Sequence, residues 1–253
     1  MHFQRLLLAS ILPLVLLAPA CSSTPDVEPP PKELPKPSTE FPNAKIYPST
    51  SAQDDGKNLT LYAALLGDGK FLTLGTSDRL VARIDDGPEL VLAAQGQVYD
   101  PHWFVSTPST PDARDVQIVL DRAGTADDAK VELKVPPTFD LDGAAPASLK
   151  AGVAFDVAVT PAPKKDDGIW WAILEGDCVA TGATDIATIT PTDRLSFTFA
   201  TTAFAKDAKA TSCNVTVKVQ HVLTGKADAA FLQPSPIDAL GLRERRFGAT
   251  FAK

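Results

Sequence analysis

The chain has 253 residues, 44% of them hydrophobic, and a formal net charge of −7. That length allows one large or two ordinary domains, and the acidic balance argues against a nucleic-acid or anionic-surface partner recruited by charge. With 22 prolines and a single methionine, amid frequent Val, Thr and Ala, the composition suits strands joined by turns and not a helical bundle.

The chain begins with a short basic flank, His2 and Arg5, followed by an apolar run over residues 6–17 and then small residues up to Cys21. This is the pattern of a secretory signal, and the run is shorter than the roughly 20 residues a spanning helix requires. Residues 1–20 are therefore expected to be a signal peptide. Ala18, Pro19, Ala20 and Cys21 resemble the lipobox of bacterial lipoproteins, with Pro19 standing where small or hydroxyl residues are commoner. The resemblance implies that the Cys21 thiol receives diacylglycerol, that the chain is cut before it, and that the new amino end is acylated. Several acyl chains together make a durable anchor. In the enterobacterial form of that family, a residue other than Asp after the cysteine, here Ser22, goes with export to the outer membrane. The implied location is the bacterial cell envelope, with the protein lipid-anchored at the outer membrane.

Residues 21–40 carry the lipidated Cys21 and a Pro-rich stretch containing Pro25, Pro29, Pro30, Pro31, Pro35 and Pro37. Such a segment buries too little apolar area to offset its ordering entropy, and its prolines favour an extended spacer. It reads as a disordered tether.

From residue 41 to 136 short strands follow one another. Leu59, Leu61, Ala63 and Leu65 alternate with Thr60, Tyr62, Ala64 and Leu66 up to the turn at Gly67-Asp68-Gly69. Further strands are expected over residues 71–74, 79–84, 89–94, 102–106, 115–121 and 129–135. Pro136-Pro137 cannot continue a ladder and marks the boundary to a second set over residues 137–253. Its strands are expected at 153–160, 169–174, 186–190, 195–200 and 212–222, with a terminal strand at 240–247. Period-2 patterning and frequent turns predict an all-β chain of two β-sandwich domains.

Once Cys21 is assigned to lipid, Cys178 and Cys213 remain. In an exported chain an even pair predicts one disulfide.

The lipobox, the Pro-rich tether and the paired modules resemble bacterial surface and periplasmic lipoproteins built from immunoglobulin-like or fibronectin-like sandwiches. In the first module the likeness rests on the turn and strand Thr76-Ser77-Asp78-Arg79-Leu80-Val81-Ala82, and in the second on a cysteine-bearing late strand. It implies a fold and a place but no reaction.

Trp170 and Trp171 are adjacent, so on a strand they point to opposite faces. One is expected in the core and the other at a domain interface or a binding surface, with Trp103 the remaining candidate for an aromatic patch. His102 and His221, without convergent cysteines, do not make a zinc site. The acid-rich turns at residues 54–56, 85–87, 140–143 and 166–168 lack the spaced acids and distal Glu of a calcium loop and are read as turns. Arg243, Arg245 and Arg246 form a basic cluster interrupted by Glu244, unlike a nucleic-acid stripe. No nucleophile elbow, phosphate loop or dinucleotide fingerprint is present in the sequence. The expectation is a non-enzymatic envelope protein, without metal or cofactor, that has a structural or protein-interaction role. Its expected partners are the membrane, through Cys21, and another envelope protein. The alternative is a carbohydrate- or peptide-binding module that uses an exposed aromatic patch.

Overall fold

A computed structural model describes residues 33–97, 99–123, 128–142, 145–205, 209–232 and 239–253. The signal peptide, Cys21 and the tether up to Lys32 lie outside the described residues. In chain order the first half contributes β1 (Lys36–Pro37), β2 (Ile46–Asp54), β3 (Asn58–Gly67), β4 (Lys70–Thr73), β5 (Asp78–Ile84), β6 (Leu90–Val91), β7 (Ala93–Gln97), β8 (Asp100–Pro108), β9 (Arg114–Arg122) and β10 (Ala129–Val135). The second half contributes β11 (Asp140–Asp142), β12 (Ser148–Lys150), β13 (Phe155–Thr160), β14 (Ile169–Glu175), β15 (Thr184–Ile186), β16 (Thr188–Ile189), β17 (Leu195–Phe197), β18 (Ser212–Thr224), β19 (Lys226–Ala227) and β20 (Ala239–Ala252). Apart from strands, the described residues hold only short 3-10 turns, so the fold is all-β.

One large sheet runs β1-β4-β3-β2-β20-β18-β14-β15, with β8 beside β3, β7 beside β8 and β12 beside β20. Two smaller sheets, β19-β10-β9-β5-β6 and β11-β13-β17-β16, supply the facing layers of two sandwiches. Period-2 alternation decides which residues face inward. Leu59, Leu61, Ala63 and Leu65 of β3 and Ala129, Val131, Leu133 and Val135 of β10 belong to the first core. Val215, Val217 and Val219 of β18 and Phe251 of β20 belong to the second.

The two halves share the large sheet. β2 pairs in parallel with β20 from Thr50↔Ala239 to Asp54↔Arg243, and β20 runs antiparallel to β18 over its whole length. Residues 33–253 form one compact unit. Pro136-Pro137 marks the passage from one core to the other, but β18 to β20 return across it: Ala227, Phe231 and Ala239 complete the first core.

Three short chain segments switch sheets. At Leu92 the chain leaves β6, paired with β5, for β7, paired with β8. At Ala187 it leaves β15, paired with β14, for β16, paired with β17. The sequence read each of these stretches as one strand; a strand that turns a corner keeps its side-chain alternation while changing its hydrogen-bond partner. The third switch is at Gly225, between β18 and β19, where a Cβ would stand 2.5 Å from the Glu132 carbonyl. Gly241 lies equally close to β10, since an added Cβ would lie 2.0 Å from the Lys134 carbonyl oxygen.

Residues 36–40, expected to belong to a disordered tether, are instead part of the fold. Lys36 and Pro37 pair with Leu72 and Thr73. The Ser38 hydroxyl, fully buried, donates to the Asp78 carboxylate (2.6 Å) and accepts from the Gly75 N–H (3.0 Å). Several strands were not anticipated, the short β1, β11, β12 and β19 among them; the longest of these is β2, which has the sequence IYPSTSAQD, is hydroxyl-rich and contains Pro48. Its described pairing with β20 begins only at Thr50, so Pro48 falls where β2 does not yet have that neighbour.

Candidate functional site

Between the two cores lies a waist of buried polar groups, built from the end of β2 and the interior of β18 and β20. The turn after β2 is fixed by its own acids: the Asp54 carboxylate accepts from the Gly56 N–H (2.7 Å), and the Asp55 carboxylate accepts from the N–H groups of Lys57 and Asn58 (both 2.8 Å). Those backbone donors hold the Asp55 carboxyl below its ordinary pKa. Asp54 is itself 1% exposed. It faces the equally buried Arg243, with Nη2 3.0 Å from Oδ2, and the Ser109 hydroxyl lies 2.6 Å from the same oxygen. The Arg243 guanidinium also donates to the carbonyls of Thr110 (2.9 Å) and Pro111 (3.2 Å). Burial pulls the Arg243 pKa down, and the Asp54 carboxylate opposes that.

The rest of the arginine cluster is likewise engaged. Arg245 donates to the Thr138 hydroxyl and lies 5.6 Å over the Phe139 ring. Gly56 makes room for it, since a Cβ there would meet the guanidinium at 2.9 Å. Glu244 accepts from Gln220 (2.8 Å) and from Arg246 (2.5 Å). What the sequence shows as a basic cluster, and as a simple turn at residues 54–56, is one structural network. The Asp140–Asp142 segment, also read as a turn, is strand β11, paired with β13.

Cys178 and Cys213 form a disulfide with Cα atoms 6.2 Å apart. Trp103 and Trp170 are each 5% exposed, in the first and second cores respectively, while Trp171 is half-buried on the outer face of β14. Trp170 meets Phe139 edge-on (4.9 Å) and stacks face to face on His221 (4.2 Å, 4°). The His221 Nε2 bonds the Asp167 carbonyl, and burial lowers its pKa below the ordinary 6.5. A cleft of about 350 Å³ opens beside this stack, bounded by Pro137, Phe139, Pro161, Lys164, Asp166 and Leu223 among others. The three tryptophans do not converge on one surface. Among the described residues no group of three His, Cys, Asp or Glu side chains is placed to hold a metal ion, and no helix is long and apolar enough to cross a membrane.

No family model matches the chain, and no curated protein matches it. Among solved structures it is similar to the fibronectin(III)-like modules of Clostridium thermocellum CbhA, with 10% identity, 82% of this chain and 93% of that one covered, and a TM-score of 0.21. It is also similar to the Yersinia pseudotuberculosis adhesin InvE, with 10% identity, 82% and 60% covered, and a TM-score of 0.23. A third similar structure is the D1–D4 ectodomain fragment of ICAM-5, with 16% identity, 83% and 54% covered, and a TM-score of 0.22. The chain thus spans little more than half of the last two. The match to immunoglobulin-like and fibronectin-like β-sandwich folds is distant and partial.

Proposed function

We propose that the chain is a lipid-anchored protein of the bacterial envelope whose folded body has a structural or protein-interaction role. The observation that carries the reading is the Ala18-Pro19-Ala20-Cys21 sequence at the end of an apolar leader, followed by a Pro-rich spacer. The body at the end of that spacer supports it: its waist charges are spent on one another and on backbone carbonyls, and its second core is crosslinked. The alternative, a carbohydrate- or peptide-binding module with an aromatic patch around Trp103 or Trp171, loses Trp103 to the first core and keeps only the half-buried Trp171. The test is Cys21→Ser in cells fed a clickable palmitate analogue. The variant is expected to lose the label and to accumulate either soluble or unprocessed. Undiminished labelling and membrane retention would reject the anchor.

A further inference from the structure

We propose that the outer face of β2, β3 and β8 binds a neutral glycan. Strand register assembles this face. Ser51 lies opposite Tyr62, and Ser49 opposite Ala64. Tyr62 in turn lies opposite Phe104, Leu240 lies beside Ser51, and His102 is two residues before Phe104 on the same side of β8. The Tyr62 and Phe104 rings stack at 6.5 Å and 28°, each half-exposed. The small side chains of Ser49, Ser51 and Ala64 leave a trough of about 290 Å³ beside them, closed by His102 and Leu240. That is the size of a small-ligand pocket at the lower end of the usual range.

The chemistry of the trough selects its occupant. Although 22% of the chain is charged, the described side chains that line the trough carry neither an acid nor a Lys or Arg. A phosphate, an acidic peptide or a polycation would lose its hydration there and gain no counter-charge. A neutral polyhydroxyl ring meets what it needs: the Tyr62 ring, backed by Phe104, for its C–H surface, and the hydroxyls of Ser49, Ser51 and Tyr62 for its own. His102 adds a ring nitrogen: its Nδ1 donates to the Asp100 carbonyl 3.2 Å away, which leaves Nε2 to hydrogen-bond a sugar hydroxyl. The position is built: Gly96, at φ +102°, has His102 Nδ1 only 2.6 Å from where its Cβ would be. An extended peptide adding itself as a strand finds no opening here. β2 is paired on both sides, with β3 and β20, β3 with β2 and β8, and β8 with β3 and β7, and strand addition needs an unpaired edge.

The experiment titrates the full chain, held in a zwitterionic detergent without a sugar headgroup, with cellotetraose, mannotetraose and tetra-N-acetylchitotetraose, read by calorimetry and saturation-transfer NMR. Saturable binding of at least one is expected. Tyr62→Ala should weaken it about tenfold, as loss of one aromatic contact does. Ser51→Arg, at an outward strand position, should abolish it without lowering the melting temperature, and Trp171→Ala, on the other sandwich, should leave it unchanged. Failure of all three sugars to bind overturns the proposal. So does binding that survives both Tyr62→Ala and Ser51→Arg, or a peptide competing where no sugar does.

Discussion

The two sandwiches close their cores by different means. The facing layer of the first is a long ladder: β5 pairs with β9 over seven residues, from Asp78↔Arg122 to Ile84↔Val116, and β9 pairs with β10 over seven more. Behind it the core is mostly aliphatic. The facing layer of the second is thin: β11–β13 and β13–β17 each pair three residues and β16–β17 only two. There rings take over. Phe155 packs on Phe197 and Phe199, and Phe204 on Phe251 at 4.5 Å, while the disulfide joins the segment at Cys178 to β18. Where the backbone ladder is short, aromatic area and a covalent link hold the layers together.

The largest effect is expected where the two sandwiches meet. Asp54→Ala leaves Arg243 buried without its carboxylate, which typically costs about 3–5 kcal/mol. Because β2 and β20 belong to both halves of the large sheet, denaturant unfolding should shift as one transition. Two resolved transitions, with only one displaced, would show that the cores are held independently. The paired change Asp54→Leu with Arg243→Met should recover most of the loss, since apolar replacement of a buried pair is often neutral.

The disulfide comes next and acts on the second sandwich. With its ends 35 positions apart in the sequence, the chain-entropy relation assigns it about 3–4 kcal/mol. Cys213→Ala should lower the unfolding midpoint accordingly. Amide protection around the Val179↔Phe204 bridge should fall before that of β3. Thiol counting on the denatured, unreduced Cys21→Ser chain should find no free thiol, and finding two would refute the bridge.

These two features were unequally legible in the sequence. The pairing of Cys178 with Cys213 follows from composition and compartment, because only two candidates remain. The strands read from strict alternation, such as β10 over Ala129–Val135 and β18 through Val215, Val217 and Val219, correspond to observed ones. Asp54 and Arg243 were not legible as partners. They are 189 residues apart, and a period-2 pattern says which side of a strand is buried but not which strand lies next to it. β2 escaped for a related reason: Pro48 and its hydroxyls mask an inward row of Ile46, Thr50, Ala52 and Asp54. Tyr62 and Phe104 were passed over in favour of the tryptophans. Ring size draws attention to Trp103, yet register puts its neighbour Phe104 on the open face.

The smallest effect concerns acid and again separates the sandwiches. The first core contains no histidine, whereas His221 is buried at the edge of the second, against the Trp170 ring and the Asp167 carbonyl. Its charged surroundings are Arg243, opposite it on β20, with Lys164, Asp166 and Asp167 around the cleft. Burial is the leading cause of its lowered pKa, partly opposed by the hydrogen bond and charge of Asp167. The folded protein therefore keeps His221 neutral at a pH where the unfolded chain, with a value of 6.5, already binds a proton. The stability this neutral ring permits is complete above that value and is lost as pH falls through it toward the depressed folded pKa. For one proton the slope is at most about 1.4 kcal/mol per pH unit. His221→Phe keeps a flat ring against Trp170 and removes the titration, so its unfolding free energy should decline less steeply than that of the parent between about pH 7 and 5. Equal slopes for the two proteins over that window would refute the contribution of His221, because carboxylates such as Asp55, lowered from an ordinary 3.8, lose their share only at more acid pH.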